Sequence, residues 1–274
     1  MASSTRILFF PPRSQMDHDS LVKSLSDLPI GSLRYFNSIG STNDEALEWV
    51  SQGAPDLSIV IANEQTAGRG RLDRQWFTPV STALAVSLIM RPSQDEIPFL
   101  SRTVGLAALS LADAFGMLGL APQIKWPNDI LLNDRKVAGI LIETAWAGDE
   151  VDYLVVGMGV NVARASVPLA DKLSYPAISL EHILGAAPNR VRLLHSILAS
   201  FISLRTHLRS DSFISIWERS LAFHDREVRI EAGNREELIG RVAGLESDGS
   251  LKLINENGKT VTVRFGDVRL RLVS

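Results

Sequence analysis

The chain contains no cysteine. That absence removes a disulfide framework, thiolate metal sites and a cysteine nucleophile together, and it fits a cytoplasmic location. Histidine is sparse: His18, His182, His195, His207 and His224 lack the short spacing of a helix-borne zinc pair and read as structural. A positive excess is also missing. With 28 Lys and Arg against 31 Asp and Glu, the net charge is -3, which takes away the term that supplies most non-specific nucleic-acid affinity. No uninterrupted apolar run reaches the roughly 18 residues that a membrane span needs. The opening Ile7-Leu8-Phe9-Phe10 stops at Pro11-Pro12, too early for a signal-peptide core.

What is there has globular texture. An apolar share of 45% provides enough burial to offset the chain entropy of folding. A length of 274 residues suits one large core with a small satellite domain. Residues 1–30 read as an extension holding a short strand candidate and a weak helix over 17–28, closed by Pro29 and Gly31. A body over 31–223 follows. Its pattern predicts a helix starting at Ser41-Thr42-Asn43-Asp44-Glu45, with Ala46, Leu47 and Val50 buried and an end near Gly53. Strands are predicted over 57–62, 82–90, 123–126, 137–144 and 153–160, and helices over 99–120, 190–208 and 211–223. From 224 to 274 the texture becomes short strands at 228–230, 238–245, 250–254 and 259–265. Ala232-Gly233-Asn234 and the hairpin pairs Asp248-Gly249 and Asn257-Gly258 separate them, which reads as a small β-barrel.

Four segments carry chemistry. Thr42 with Glu45 three residues later satisfies a capping box; the same helix start could bond a neutral polar head such as a ureido ring, and the motif leaves both readings open. The loop Gln65-Thr66-Ala67-Gly68-Arg69-Gly70-Arg71 is part of a connection of about twenty residues, a length that is usually functional. Its glycines let backbone approach a ligand, and its arginines offer planar donors for carboxylate or phosphate. Trp76, just downstream, argues against a merely solvated turn. In Lys125-Trp126-Pro127-Asn128-Asp129, Pro-Asn-Asp reads as a turn between strands. With Lys136 seven residues beyond Asp129, the two lysines, the tryptophan and the carboxylate would face one cleft suited to two anions. Finally, Gly157-Met158-Gly159-Val160-Asn161 ends a strand without the glycine pattern or helix of a dinucleotide site.

In this order and spacing, Gly40-Ser41-Thr42-Asn43, Gln65 to Trp76, Lys125 to Asp129, the run from Arg135 to Glu143 and Gly157 to Asn161 closely resemble biotin protein ligases. The resemblance covers about 33–223, with a family-like C-terminal barrel beyond. It implies an α+β fold, a mixed sheet flanked by helices related to the class II synthetases, with a small SH3-like barrel. It also implies an ATP-dependent enzyme that makes biotinyl-5′-AMP and passes biotin to a lysine of a biotin carboxyl carrier protein or acetyl-CoA carboxylase subunit. Carried over by position, Ser41, Thr42, Asn43, Gln65, Arg69, Gly70, Arg71, Lys136 and Gly139 would contact biotin or its activated carboxyl. Arg74, Trp76, Lys125, Asn128, Asp129 and Asn161 would surround ATP and magnesium, with Lys136, Arg71, Asp129 and Lys125 forming the catalytic set. Asp129 is open between a magnesium contact and orienting the acceptor lysine. Monomer and homodimer are both compatible with the resemblance.

Bifunctional members of that family carry an N-terminal winged-helix domain. Only forty residues precede Ser41, so DNA binding is not expected. The rival enzyme is a lipoate ligase, whose usual Arg-Arg-x-Ser-Gly-Gly-Gly-type segment is missing here. A non-catalytic biotin- or nucleotide-sensing adaptor is the rival from another class; intact Lys136, Arg71 and Asp129 speak against it.

Overall fold

The computed structural model describes residues 16–72, 74–147, 150–173, 175–232, 237–264 and 268–273. The strand candidate in the first ten residues and the Gly233-Asn234 turn lie outside this set. Seven strands form the body: β1 (Leu33–Phe36), β2 (Ile59–Ala62), β3 (Ala83–Met90), β4 (Gln123–Lys125), β5 (Asp129–Leu132), β6 (Arg135–Ala147) and β7 (Glu150–Asn161). They lie in the order β1-β2-β3-β7-β6-β5-β4. Only β1 and β2 run parallel, and every other neighbouring pair is antiparallel. The sheet is therefore mixed, as expected.

β2 and β3 are continuous apolar runs because both faces of the sheet are covered. On one face lies α2 (Thr42–Ser51), whose Ala46 and Trp49 pack with Val60, Ile89, Tyr153 and Val155. Leu47 and Val50 are only partly buried against that cluster. On the other face α3 (Thr103–Gly116) packs with α5 (Arg190–Arg205) over the main core. α1 (His18–Ser24) is set by an Asp17 capping box and places Leu21, with the preceding Met16, in that same core. Tyr35 Oη donates to the Met16 carbonyl at 2.7 Å.

Several boundaries differ from the sequence pattern. The single helix expected over 99–120 starts as a 3-10 turn, Ile97–Arg102, with Pro98 near its start, and becomes α3 only at Thr103. Ile97–Gly116 is long and apolar enough to cross a membrane by length and composition, but most of it is buried inside the protein. Pro127-Asn128 form the expected turn between strands, and the strand it leads into, β5, is too short to show a period of its own. The short α4 (Leu180–Leu184) carries too little periodicity to be read. α6 (Asp211–Arg219) ends before the expected limit of 223.

Five further strands, β8 (Glu227–Ala232), β9 (Leu238–Leu245), β10 (Leu251–Ile254), β11 (Thr260–Val263) and β12 (Val268–Leu272), form an antiparallel sheet in the order β11-β10-β9-β8-β12. The expected hairpins are present, with Gly249 at φ 86° and Gly258 at φ 73°. Among the described residues β11 and β12 do not pair, so the sheet is open where the hairpin texture pointed to a closed barrel. β12 itself had no turn signal before it and was not foreseen. The sheet is not a loose appendage: Val228, Val242, Leu251 and Leu253 join the main core. Buried Arg102 donates to the Ser247 carbonyl at 2.7 Å, and Trp126 Nε1 to that of Gly249 at 3.0 Å. The hairpin between β4 and β5 thus leans on the C-terminal sheet.

Candidate active site

The long connection between β2 and β3 folds back on itself. Gln65 pairs with Thr78 and Arg69 with Gln75, while Gly70 N–H donates to the Arg74 carbonyl at 2.7 Å and Trp76 N–H to that of Gly68 at 2.8 Å. Gly68 is required by this turn-back, since a Cβ there would sit 2.4 Å from the Trp76 carbonyl oxygen. The loop crosses the sheet face and divides the space there into two adjoining cavities. Their common wall is Gly70, Arg71, Trp76, Asn128 and Lys136.

The narrower cavity is lined by Ser41, Thr42, Asn43, Gln65, Arg69 and Gly139, among others. Its polar groups form one connected network. Thr42 N–H and Oγ1 both donate to Gln65 Oε1, at 2.8 and 3.0 Å, and Gln65 Nε2 donates to Thr78 Oγ1 at 3.2 Å. Buried Ser87 Oγ lies 2.8 Å from Thr42 Oγ1 and 2.6 Å from Asn43 Oδ1. Asn43 Nδ2 donates to Glu143 at 2.7 Å, and Arg69 Nη2 donates to both Glu143 oxygens at 2.9 Å.

The capping box is not made. Ser41 is the N-cap and makes no side-chain cap bond, while Thr42 is already inside α2. Glu45 is drawn instead to Arg34, at 2.7 Å. The orphan N–H of the helix start is satisfied from outside by Gln65, which ties α2 to the loop. Gly157 makes room for this network, because a Cβ there would lie 2.2 Å from Asn43 Oδ1.

The larger cavity, about 440 Å³, is lined by Arg74, Lys125, Asp129 and Asn161 and also by Tyr175 and Arg271. Asp129 Oδ1 lies 2.5 Å from Lys136 Nζ, and Oδ2 lies 3.8 Å from Lys125 Nζ. Burial works against the charged carboxylate, but Lys136, Lys125 and Arg71 outweigh it and hold Asp129 below its ordinary pKa. Lys125 goes the other way. Burial, helped by Arg271, Lys136 and Arg74 and opposed by Asp129, pulls its pKa down to about 8. Its ammonium sits 4.0 Å from the Tyr175 ring centroid.

Asn128 is fixed by its own backbone surroundings, with Nδ2 donating to the Ile140 carbonyl at 2.7 Å, and its Oδ1 accepts from Arg71 at 3.0 Å. Asn161 Nδ2 donates to the Ile178 carbonyl at 3.2 Å. Trp76 packs its ring on Gly159, where a Cβ would fall 2.3 Å from the indole, and Lys136 Nζ lies 5.4 Å from that ring. Gly139 leaves space for the same lysine, since a Cβ there would be 3.0 Å from Nζ.

The fifteen positions expected at the site all line one cavity or the other. Trp126 departs from its expected place: it borders the cleft but is 2% exposed, with its indole N–H spent on the C-terminal sheet. Ser87, Thr78, Glu143, Tyr175 and Arg271 also form part of the constellation and were not anticipated. Glu143 lies in a motif already singled out, but nothing local marks which way its carboxylate turns.

Comparison with known proteins agrees with this geometry. The family described as Biotin/lipoate A/B protein ligase family matches residues 35–161, the stretch that supplies most of both cavity walls. The biotin--[acetyl-CoA-carboxylase] ligase of Paracoccus denitrificans is 35% identical over 81% of this chain and 90% of its own length. The enzyme of the same name from Mycobacterium tuberculosis is 33% identical over 90% of this chain and 94% of its own. Among solved structures, biotin protein ligase from Aquifex aeolicus in complex with biotin and ATP superposes with a TM-score of 0.77 at 25% identity, covering 88% of this chain and 99% of that one. Sequence and fold agree: the chain belongs to the biotin protein ligase family.

Proposed function

We propose that this protein condenses biotin with ATP to biotinyl-5′-adenylate and transfers the biotinyl group to a lysine of a biotin carboxyl carrier protein of acetyl-CoA carboxylase, in the cytoplasm. The observation that carries the reading is the pair of cavities sharing Arg71, Asn128 and Lys136 as their wall. One is a hydrogen-bonding slot suited to an uncharged ring head. The other gathers Arg71, Arg74, Lys125, Lys136 and Arg271 around a single carboxylate, Asp129, as a triphosphate requires.

In the first step a biotin carboxylate oxygen bonds to the α-phosphorus and pyrophosphate leaves. Two unit negative charges 4 Å apart repel by about 4 kcal/mol at an effective dielectric of 20. Lys136 and Arg71 stand where the two cavities meet and offset that repulsion, so the step needs positioning and charge and no protein nucleophile. Asp129 keeps both lysines aimed. In the second step the amine of the carrier lysine attacks the acyl carbon and AMP leaves.

Magnesium enters this reading only with ATP. Both Asp129 oxygens face ammonium groups, and among the described residues no three His, Cys, Asp or Glu side chains come together as a metal-binding group. The residues do not fit a resident metal; Asp129 is engaged with the protein's own Lys125 and Lys136, a role distinct from the magnesium contact and the acceptor-lysine orientation that the sequence left open. Biotin and lipoate differ in head group, so one experiment separates the two ligase readings. The protein with magnesium ATP and either acid should yield biotinyl-adenylate by mass spectrometry; a lipoyl product alone overturns the proposal.

A further inference from the structure

We propose that Glu143 is a positioning residue that fastens the arginine loop over the biotin slot, and that Asn43 and Arg69 act through it rather than on the ligand. Family resemblance assigned Asn43 and Arg69 to biotin contact, but the Asn43 amide and the Nη2 of Arg69 are engaged by other groups of the protein. The Asn43 amide presents Oδ1 to Ser87 at 2.6 Å and Nδ2 to Glu143 at 2.7 Å. The Arg69 guanidinium reaches Glu143 through Nη2, at 2.9 Å from each oxygen, and Asp44 at 2.5 Å. One carboxylate on β6 therefore joins the first turn of α2 to a loop that begins far from it in sequence.

Physical asymmetry explains why this contact acts on the ligand. The loop is tied to the body by Gln65 to Thr42 at its start, by Arg69 to Glu143 and Asp44 beside the slot, and by Arg71 to Asn128 on the nucleotide side. If Glu143 lets go, the loop keeps its internal pairing and its Gln65 and Arg71 ties, and only the exposed Asp44 still holds Arg69, so the loosening is confined to the stretch beside the slot. Asn43 loses its donor's partner in the same event. The effect should fall on biotin and spare ATP.

This inference rests on the biotin reading above, and the test separates the two. Calorimetry on the parent comes first: a parent that binds no biotin overturns the proposed function itself. With binding established, Glu143→Gln should raise the biotin dissociation rate and the KM for biotin about tenfold, the cost of one charge-assisted hydrogen bond, with a much smaller change in the KM for ATP. Arg69→Gln, on a half-exposed loop position that does not endanger folding, should give a similar shift. The double variant should lose less than the sum of the two singles, because both substitutions break the shared Arg69–Glu143 contact. Unchanged biotin dissociation in either folded variant, additive losses in the double, or an equal rise in both KM values overturns the inference.

Discussion

Asp129 on β5 and Lys136 on β6 meet across adjacent strands, Oδ1 to Nζ at 2.5 Å, and the same carboxylate lies 3.8 Å from Lys125 at the end of β4. Three neighbouring strands thus deliver one anion between two cations in the wall of the larger cavity, with Lys136 also lining the narrower one. The pairing orders the lysines before any substrate arrives, which lowers the cost of aiming them during reaction.

Lys136→Ala should therefore abolish most biotin-dependent exchange of pyrophosphate into ATP while leaving the fold intact. Loss of about 3 kcal/mol of charge-assisted contact in the transition state slows the step by about two orders of magnitude. Exchange at the parent rate in a variant with unaltered circular dichroism would remove Lys136 from the chemistry.

Lys125 makes the reaction sensitive to alkaline pH. Its pKa is drawn down to about 8, so the free enzyme loses this positive charge as pH rises through that value. Below it the ammonium is present and attracts the triphosphate; above it the attraction fades. The kcat/KM for ATP should fall above about pH 8, and Lys125→Arg, whose guanidinium stays charged, should move that limb upward. A profile identical in the two proteins would assign the alkaline limb to another group.

Gly159→Ala tests the wall shared by the cavities. Its Cβ would fall 2.3 Å from the Trp76 ring, so the indole must move, and Trp76 lines both spaces. KM should rise for biotin and for ATP together, with a stability loss of about 1–3 kcal/mol from overpacking. A rise confined to one substrate would show that Trp76 serves one cavity only.

These sites differ in how far they could be read from sequence. The strands β3 and β7 announce themselves as apolar runs, and Gly249 and Gly258 mark their hairpins, because those signals are local. β5 is four residues hidden behind Pro127-Asn128, and only pairing with β4 and β6 makes it a strand. Thr42 and Glu45 have the spacing of a capping box, yet Arg34, eleven residues before Glu45, takes the carboxylate. Ser87 and Glu143 reach Asn43 from 44 and 100 residues away, so no window of sequence contains both partners. The chemistry-bearing side chains were legible because their types are unusual together; the groups that orient them were not.

Arg71→Gly should yield an enzyme that makes biotinyl-adenylate and lets it go. Arg71 Nη1 is held at 3.0 Å by Asn128 Oδ1, and the residue lines both cavities, where the proposed function puts the phosphate joining biotin to adenosine. Asp129 and Lys136 are carried by sheet strands and remain in place without it, so formation of the mixed anhydride should suffer less than its retention. A loss of about 2 to 3 kcal/mol corresponds to roughly 30- to 150-fold weaker holding of the intermediate. Released adenylate acylates any exposed amine it meets. With biotin, magnesium ATP and serum albumin, which is no carrier substrate, the variant should biotinylate albumin well beyond the parent on a streptavidin blot. A variant that forms adenylate at the parent rate and labels albumin no more than the parent would show that another group, with Asn128 the first to examine, retains the intermediate.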